Sequence, residues 1–231
     1  MLEKPGGGSA AWQVEMRKAL LILRFARPQR MLSWALARPG LVNADTVAWL
    51  QVRDADLPVN LDAHLYLMHK LNEAGIGDAV GLMTSRDIAK HHQSIVHVDD
   101  VAASAMATLG LSNAETIGAA PVAVHRAGTI NLVCHVNAPL GEGAMLEALS
   151  IAASARTAAV LAHGYERRPG AGPVIGTGTD CIVLACPFPD SAPGQPYAGL
   201  HTAAGQAVAQ ACHAAIDDAA QVWLAQYAGR K

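Results

Sequence analysis

Aromatic residues make up only 4% of the chain, with two phenylalanines, and charged residues only 16%. So little charge is expected of a well-buried multilayer fold or of a homo-oligomer rather than of a small, highly solvated monomer. The net charge of −2 offers no electrostatic footprint for nucleic acid. The one basic cluster, Arg24, Arg27 and Arg30 around Pro28, falls in an expected turn. The four cysteines, Cys134, Cys181, Cys186 and Cys212, include no CxxC pair, and most lie in apolar patterns. They read as small buried hydrophobes of a reducing compartment, and a cytoplasmic location is expected. No apolar run reaches the roughly 18 residues of a membrane span, and the N-terminus has no signal-peptide pattern. No HExxH spacing occurs, His64 and His69 differ by five residues, and His91 and His92 are adjacent, so no metal site is expected. No internal repeat emerges either.

What is present is a chain of 231 residues and 24.0 kDa with 52% hydrophobic residues, enough for one sizeable core. Residues 1–11, with Gly6-Gly7-Gly8-Ser9, read as a flexible leader to a single domain over 12–231. Strands are expected at Ala19 to Phe25, Met31 to Ala37 and Thr46 to Val52, with a turn at Arg27-Pro28-Gln29. Asn60 offers an N-cap to a helix carrying Leu61, Leu65, Met68 and Leu71, which Gly75 closes. Shorter strands are expected at Ala79 to Thr84, Ser94 to Val98, Ala102 to Leu109, Val122 to His125 and Thr129 to Val136, with a helical turn near Ile88 to His92. Met145, Leu149, Ala152, Ala153, Arg156 and Val160 mark a helix over Glu142 to His163, stopped by Gly164. A buried strand, Cys181 to Cys186, and a last helix to about Tyr227 complete the pattern. Many strands with three good helices imply an α+β fold or a layered sandwich with flanking helices.

Gly176-Thr177-Gly178-Thr179-Asp180 runs straight into that buried strand. A phosphate cradle would feed a helix instead, whose N-terminal NH groups hold the anion, so the loop argues against a nucleotide site. It sets small hydroxyls and one carboxylate at the mouth of a strand, where loop NH groups beside a hydroxyl suit an oxyanion; an ordinary glycine turn has the same pattern. In Gly128-Thr129-Ile130-Asn131-Leu132-Val133-Cys134-His135-Val136-Asn137, alternation puts Ile130, Leu132, Cys134 and Val136 on one face. Thr129, Asn131, Val133, His135 and Asn137 share the other, either as a site or as the solvent face of an edge strand. Tyr197-Ala198-Gly199-Leu200-His201-Thr202 precedes the last helix, with Thr202 as its expected N-cap and His201 as a candidate acid or base.

Together with Ala79-Val80-Gly81-Leu82-Met83-Thr84 and Ala107-Thr108-Leu109-Gly110-Leu111-Ser112-Asn113, these motifs resemble, in order and spacing, the adenosylcobinamide amidohydrolases of corrinoid salvage. The resemblance runs from about residue 30 to the C-terminus. It departs after Leu32-Ser33, where a glycine-rich segment is expected and Trp34-Ala35-Leu36-Ala37-Arg38-Pro39-Gly40 stands instead. It implies hydrolysis of the amide between a corrin side chain and its aminopropanol linker, giving adenosylcobyric acid. Cobalt would arrive with this small-molecule corrinoid substrate, with no cofactor of the enzyme's own, no nucleic-acid partner and no membrane span.

The segment from Gly128 to Leu140 also looks like the nucleophile region of the self-processing aminopeptidase and ornithine acetyltransferase group, whose fold is an αββα sandwich. That likeness implies Thr129 as nucleophile. On both resemblances the candidate catalytic residues are Thr129, Asp180 and His201, and the candidate substrate-binding residues are Asn113, Asn131, Gly176, Gly178, Thr179 and Thr202. Two other functions fit the same residues: a self-processing threonine amidase or aminopeptidase, and a non-catalytic corrinoid carrier with His91 or His201 on cobalt.

Overall fold

The computed structural model describes residues 10–58, 60–120, 128–189 and 193–228. In chain order the elements are β1 (Trp12–Arg17), β2 (Leu20–Ser33), β3 (Gly40–Gln51), α1 (Ala63–Glu73), β4 (Val80–Thr84), β5 (His92–Val98) and β6 (Val101–Leu109). They continue as β7 (Ala114–Glu115), β8 (Ile130–Val136), α2 (Glu142–Ala162), β9 (Gly176–Thr177), β10 (Cys181–Cys186) and α3 (Ala203–Ala228). The expected strand at Val122 to His125 lies outside the described residues.

Strand β2 organises the fold. It is continuous where two strands and a turn are expected, because Arg27, Pro28 and Gln29 form an irregularity inside one ladder: β2 pairs with β3 on both sides of a register shift between Arg24 and Gln29. A bulge of this kind bends a strand without ending it. The first half of β2 also pairs with β1, a strand the sequence pattern did not announce, and the second half with β10. The hydrogen-bonded order is β4-β3-β2-β10-β8-β6-β5, mixed, with β3 parallel to β4 and β10 parallel to β8.

The bend lets the sheet fold over itself into two layers. Leu21, Leu23, Phe25, Val47, Trp49 and Leu82 of one layer meet Met106, Val133, Val183 and Ala185 of the other. Outside the first layer, Leu67 and Leu71 of α1 pack on Ile22, Ala48 and Leu50. Outside the second, α2 and α3 cover Leu132, Cys134, Ile182 and Leu184. The architecture is therefore α+β, an αββα sandwich. Two cross-layer bonds pin the register: Asn131 Nδ2 donates to Met83 O at 2.8 Å, and Trp12 Nε1 to Gln93 Oε1 at 3.4 Å.

The helices follow from their small-residue stripes. Ala204, Ala207, Val208, Ala211, Cys212, Ala215 and Ile216 recur on one side of α3 and are buried, which allows a close approach to β5, β6 and β8. Ala144, Ala148, Ala152 and Ala159 do the same for α2. By length and composition α2 alone among the described helices could cross a membrane, and here its alanine face is seated on β10 and α3. The N-cap of α1 is Asp62 rather than Asn60: its carboxylate accepts from His64 N at 2.9 Å and Leu65 N at 3.1 Å. The helix begins at Ala63, which leaves Asp62 and not Asn60 in the cap position. Gly75, at φ 71°, closes the segment as expected.

Burial between the layers has a consequence for acid stability. His135 is 9% exposed, its ring lies 5.4 Å from that of Phe25, and Nε2 sits 3.2 Å from Gln29 Oε1. Removal from water holds its pKa down from 6.5 to about 4. The unfolded chain therefore binds a proton between those values that the native protein does not. The contribution is complete above pH 6.5 and is lost as pH falls toward 4, amounting to about 3 kcal/mol. Urea unfolding of wild type at pH 7 and pH 4.5 should show this loss, and His135→Gln should show most of it removed; equal pH dependence in the two proteins would refute the assignment.

Candidate active site

Strands β8 and β10 run parallel, so their N-terminal ends lie side by side, with Asn131 paired to Cys181. Thr129 and Asp180 each immediately precede one of these strands, which brings together two residues 51 positions apart. Thr129, 7% exposed, donates from Oγ1 to Thr179 O at 2.7 Å, and Thr179 Oγ1 donates back to Gly128 O at 3.1 Å. The two segments are thus stitched by reciprocal hydroxyl bonds. Gly128 is required here: a Cβ would stand 2.8 Å from Asn113 Oδ1 and 3.1 Å from Gly110 O.

Asp180 is the electrostatic centre of the loop. Its Oδ1 accepts from Ile130 N at 3.0 Å and from the Thr177 hydroxyl, and its Oδ2 accepts from Thr177 N at 3.0 Å and from the Arg156 guanidinium. Burial raises its carboxyl above the ordinary range, while Arg156 and the Thr177 and Ile130 donors pull the other way. With four donors on two oxygens, Asp180 is built to hold the Gly176–Asp180 loop against the start of β8. A Cβ on Gly176 would fall 2.5 Å from Asp180 Oδ2, so the carboxylate needs that glycine as well. Gly178 and Thr179 form the exposed tip of the loop.

Asn113 closes the site from below. It is 4% exposed, and its Oδ1, the atom nearest the missing Cβ of Gly128, has no hydrogen-bond partner. An unpaired buried carbonyl oxygen costs on the order of 1–3 kcal/mol. Asn131, by contrast, spends its amide donor on Met83 O, so it braces the layers next to the site.

His201 and Thr202 are not brought to this cluster. Thr202 caps α3, with Oγ1 accepting from Gly205 N at 3.0 Å, and the preceding segment is tied to the start of α2 by Ala198 N donating to Glu147 Oε2 at 2.7 Å. Trp223, at the far end of α3, is the residue beside Gly110, whose NH bonds Thr129 O at 3.0 Å. About 30 Å of helix axis therefore separates His201 from Thr129, at 1.5 Å per residue. The helix crosses the sheet antiparallel to β8, which puts its first turn at the wrong end of that strand. A cavity of about 420 Å³ also opens at that far end of β8, lined by Arg27, Gln29, Ser104 and His135 among others. It lies roughly 20 Å from Thr129 along the strand, whereas the hydroxyl, carboxylate, guanidinium and unpaired carbonyl oxygen converge at the Thr129 end.

Three residues of the cluster were not singled out from sequence. Arg156 carried a signal, a lone charge in the apolar stripe of α2. Thr177 lay inside the quoted loop. Trp34, whose Nε1 donates to Asp180 O at 2.6 Å, gave no sign of its partner 146 residues away.

Comparisons with known proteins agree with the motif pattern. The family described as adenosylcobinamide amidohydrolase matches residues 8–228. A protein of Halobacterium salinarum named adenosylcobinamide amidohydrolase is 33% identical over 194 residues, 77% of this chain and 76% of the relative. One of the same name from Methanosarcina mazei is 29% identical over 154 residues, 63% of this chain and 68% of the relative. Among solved structures, the PH0078 protein of Pyrococcus horikoshii overlaps with a TM-score of 0.48 at 10% identity, covering 94% of this chain and 81% of its own. The L-aminopeptidase D-Ala-esterase/amidase of Ochrobactrum anthropi overlaps with a TM-score of 0.43 at 10% identity, covering 90% and 82%. Both superpose too loosely to align site residues. The match across nearly all of the sequence, with two relatives of one name, shows that the chain belongs to the adenosylcobinamide amidohydrolase family, hydrolases that act on an amide.

Proposed function

We propose that the protein cleaves the amide joining the corrin side chain of adenosylcobinamide to its aminopropanol linker, releasing adenosylcobyric acid for re-entry into cobalamin assembly in the cytoplasm. The observation that carries the reading is the Thr129 hydroxyl, fixed at the start of β8, with the unpaired Oδ1 of Asn113 beside the adjoining Gly128. Thr129 Oγ attacks the amide carbon, the C–N bond breaks, and the hydroxyl proton leaves with the aminopropanol nitrogen. Water then hydrolyses the resulting ester, restoring Thr129 and giving the carboxylic acid. Rotating the Asn113 amide by 180° exchanges Oδ1 for Nδ2 and points a donor at Gly128, where it meets the developing oxyanion together with the Gly178 NH at the tip of the loop. Asp180 and Arg156 act as positioning residues, Asn131 as a brace beside the substrate. His201 and Thr202 have no part in this chemistry. The chain supplies no cofactor of its own in this reading, since cobalt enters with the substrate.

Asn113→Ala tests the oxyanion role. Its expected effect is a fall in kcat of about 10² to 10³ with the melting temperature retained, the usual loss for one oxyanion donor. Unchanged kcat would remove Asn113 from the mechanism. A second reading, self-processing, is favoured by one contact: the Thr179 hydroxyl on Gly128 O polarises the Gly128–Thr129 peptide that such a reaction would cut.

A further inference from the structure

Beside the site lies a segment that none of this chemistry uses. Trp34 is 47% exposed, Leu36 38% and Leu41 47%. Leu41 is in register with Leu32, and Leu32 with Leu184, whose side chain lies on the α2 side of the sheet. Trp34 immediately follows β2, two residues beyond Leu32, and Leu41 stands opposite Leu32 near the start of β3, so Trp34 and Leu41 lie at the same end of the ladder. The backbone carrying them is unusually constrained. The Trp34 indole is bonded to Asp180 O, His64 Nδ1 lies 2.7 Å from Leu36 O, and Ala37 exchanges two bonds with Gly81 at 3.1 and 3.0 Å. Large apolar side chains held rigidly in water contribute nothing to the fold that requires their exposure. They are what a preorganised binding surface needs, since little entropy remains to be lost on contact.

Taking adenosylcobinamide as substrate, as the reading above does, we propose that Trp34, Leu36 and Leu41 form the seat for one face of its corrin macrocycle. The occupant follows from continuity with the site: Trp34 is bonded to the same residue, Asp180, that holds the loop at Thr129. A macrocycle whose side chain presents its amide to Thr129 reaches this surface, because it adjoins that loop. The corrin ring is broad, with methyl groups and amide side chains at its periphery and axial ligands on its cobalt, and its apolar ring edge suits contact with aromatic and aliphatic side chains.

Adenosylcobyric acid separates the seat from the chemistry, because it carries the macrocycle without the scissile amide. Its dissociation constant, measured by equilibrium dialysis with visible absorbance, should rise about tenfold in Leu36→Glu and in Leu41→Glu, the size set by losing one large apolar contact. With adenosylcobinamide the same variants should raise KM by a similar factor and retain kcat. Both positions are solvent-exposed, so the variants are expected to fold; a matching melting temperature checks this. If wild type binds adenosylcobyric acid in this residue-dependent way yet forms no product from adenosylcobinamide, the seat stands and the hydrolytic reading falls. Binding that is equal in wild type and both variants, or no binding by wild type, overturns the seat.

Discussion

Thr129→Ala is expected to abolish release of adenosylcobyric acid from adenosylcobinamide, lowering kcat by roughly 10³-fold or more while the protein remains folded. The substitution removes the hydroxyl and the γ-methyl, and the hydroxyl's hydrogen bond to Thr179 O accounts for about 1 kcal/mol of stability. A residue with a purely structural role would cost that stability and little rate. Thr129→Ser retains the hydroxyl and should keep measurable turnover, which distinguishes loss of the nucleophile from loss of a packed methyl. Denaturing mass spectra of the same preparations address self-processing. A single species near 24.0 kDa is expected of an internal nucleophile, whereas two fragments divided between Gly128 and Thr129, absent in Thr129→Ala, would move the account to the second reading. Full activity of Thr129→Ala would remove the residue from the mechanism.

Asp180→Ala carries the largest expected stability effect, about 3–5 kcal/mol. The side chains of Asp180 and Arg156 are 7% and 15% exposed, and removing one partner of a buried pair leaves the other uncompensated in a poorly solvating interior. Two backbone donors, Ile130 N and Thr177 N, lose their acceptor at the same time. Asp180→Asn keeps the shape and part of the hydrogen bonding and should cost less. In the double variant Asp180→Ala, Arg156→Met the orphaned charge is gone, so part of the lost stability should return. Chemical denaturation of the four proteins measures these differences; an Asp180→Ala variant within 1 kcal/mol of wild type would show that the pair does not anchor the loop.

The sequence was most informative where local rules govern. The helix α2 followed from residues at three- and four-residue spacing, and α3 from the capping segment that precedes it. The loop before β10 was recognisable because a glycine-rich turn led into an apolar strand. Alternation along β8 correctly separated the face that meets α2 and α3 from the face bearing Asn131 and His135. The two readings of that second face, a site or a solvent edge, both missed its burial beneath a second layer, since the fold-over at β2 is a long-range event. The same limit explains His201. Its motif has a clear local role in capping α3, but only the crossing direction of a helix 26 residues long decides which end of the sheet it reaches. Arg156 could have been suspected as a charge in an apolar stripe, yet its partner on the β10 loop is set by packing. Strand β1 has little hydrophobic alternation, with only Trp12 fully buried, and it forms because β2 offers it an edge.

The most direct measurement is mass-spectrometric detection of products after incubating adenosylcobinamide with the wild-type protein. The account predicts adenosylcobyric acid and free aminopropanol in equal amounts, accumulating with enzyme and time. Adenosylcobinamide recovered intact, under conditions where the protein is folded, would contradict it.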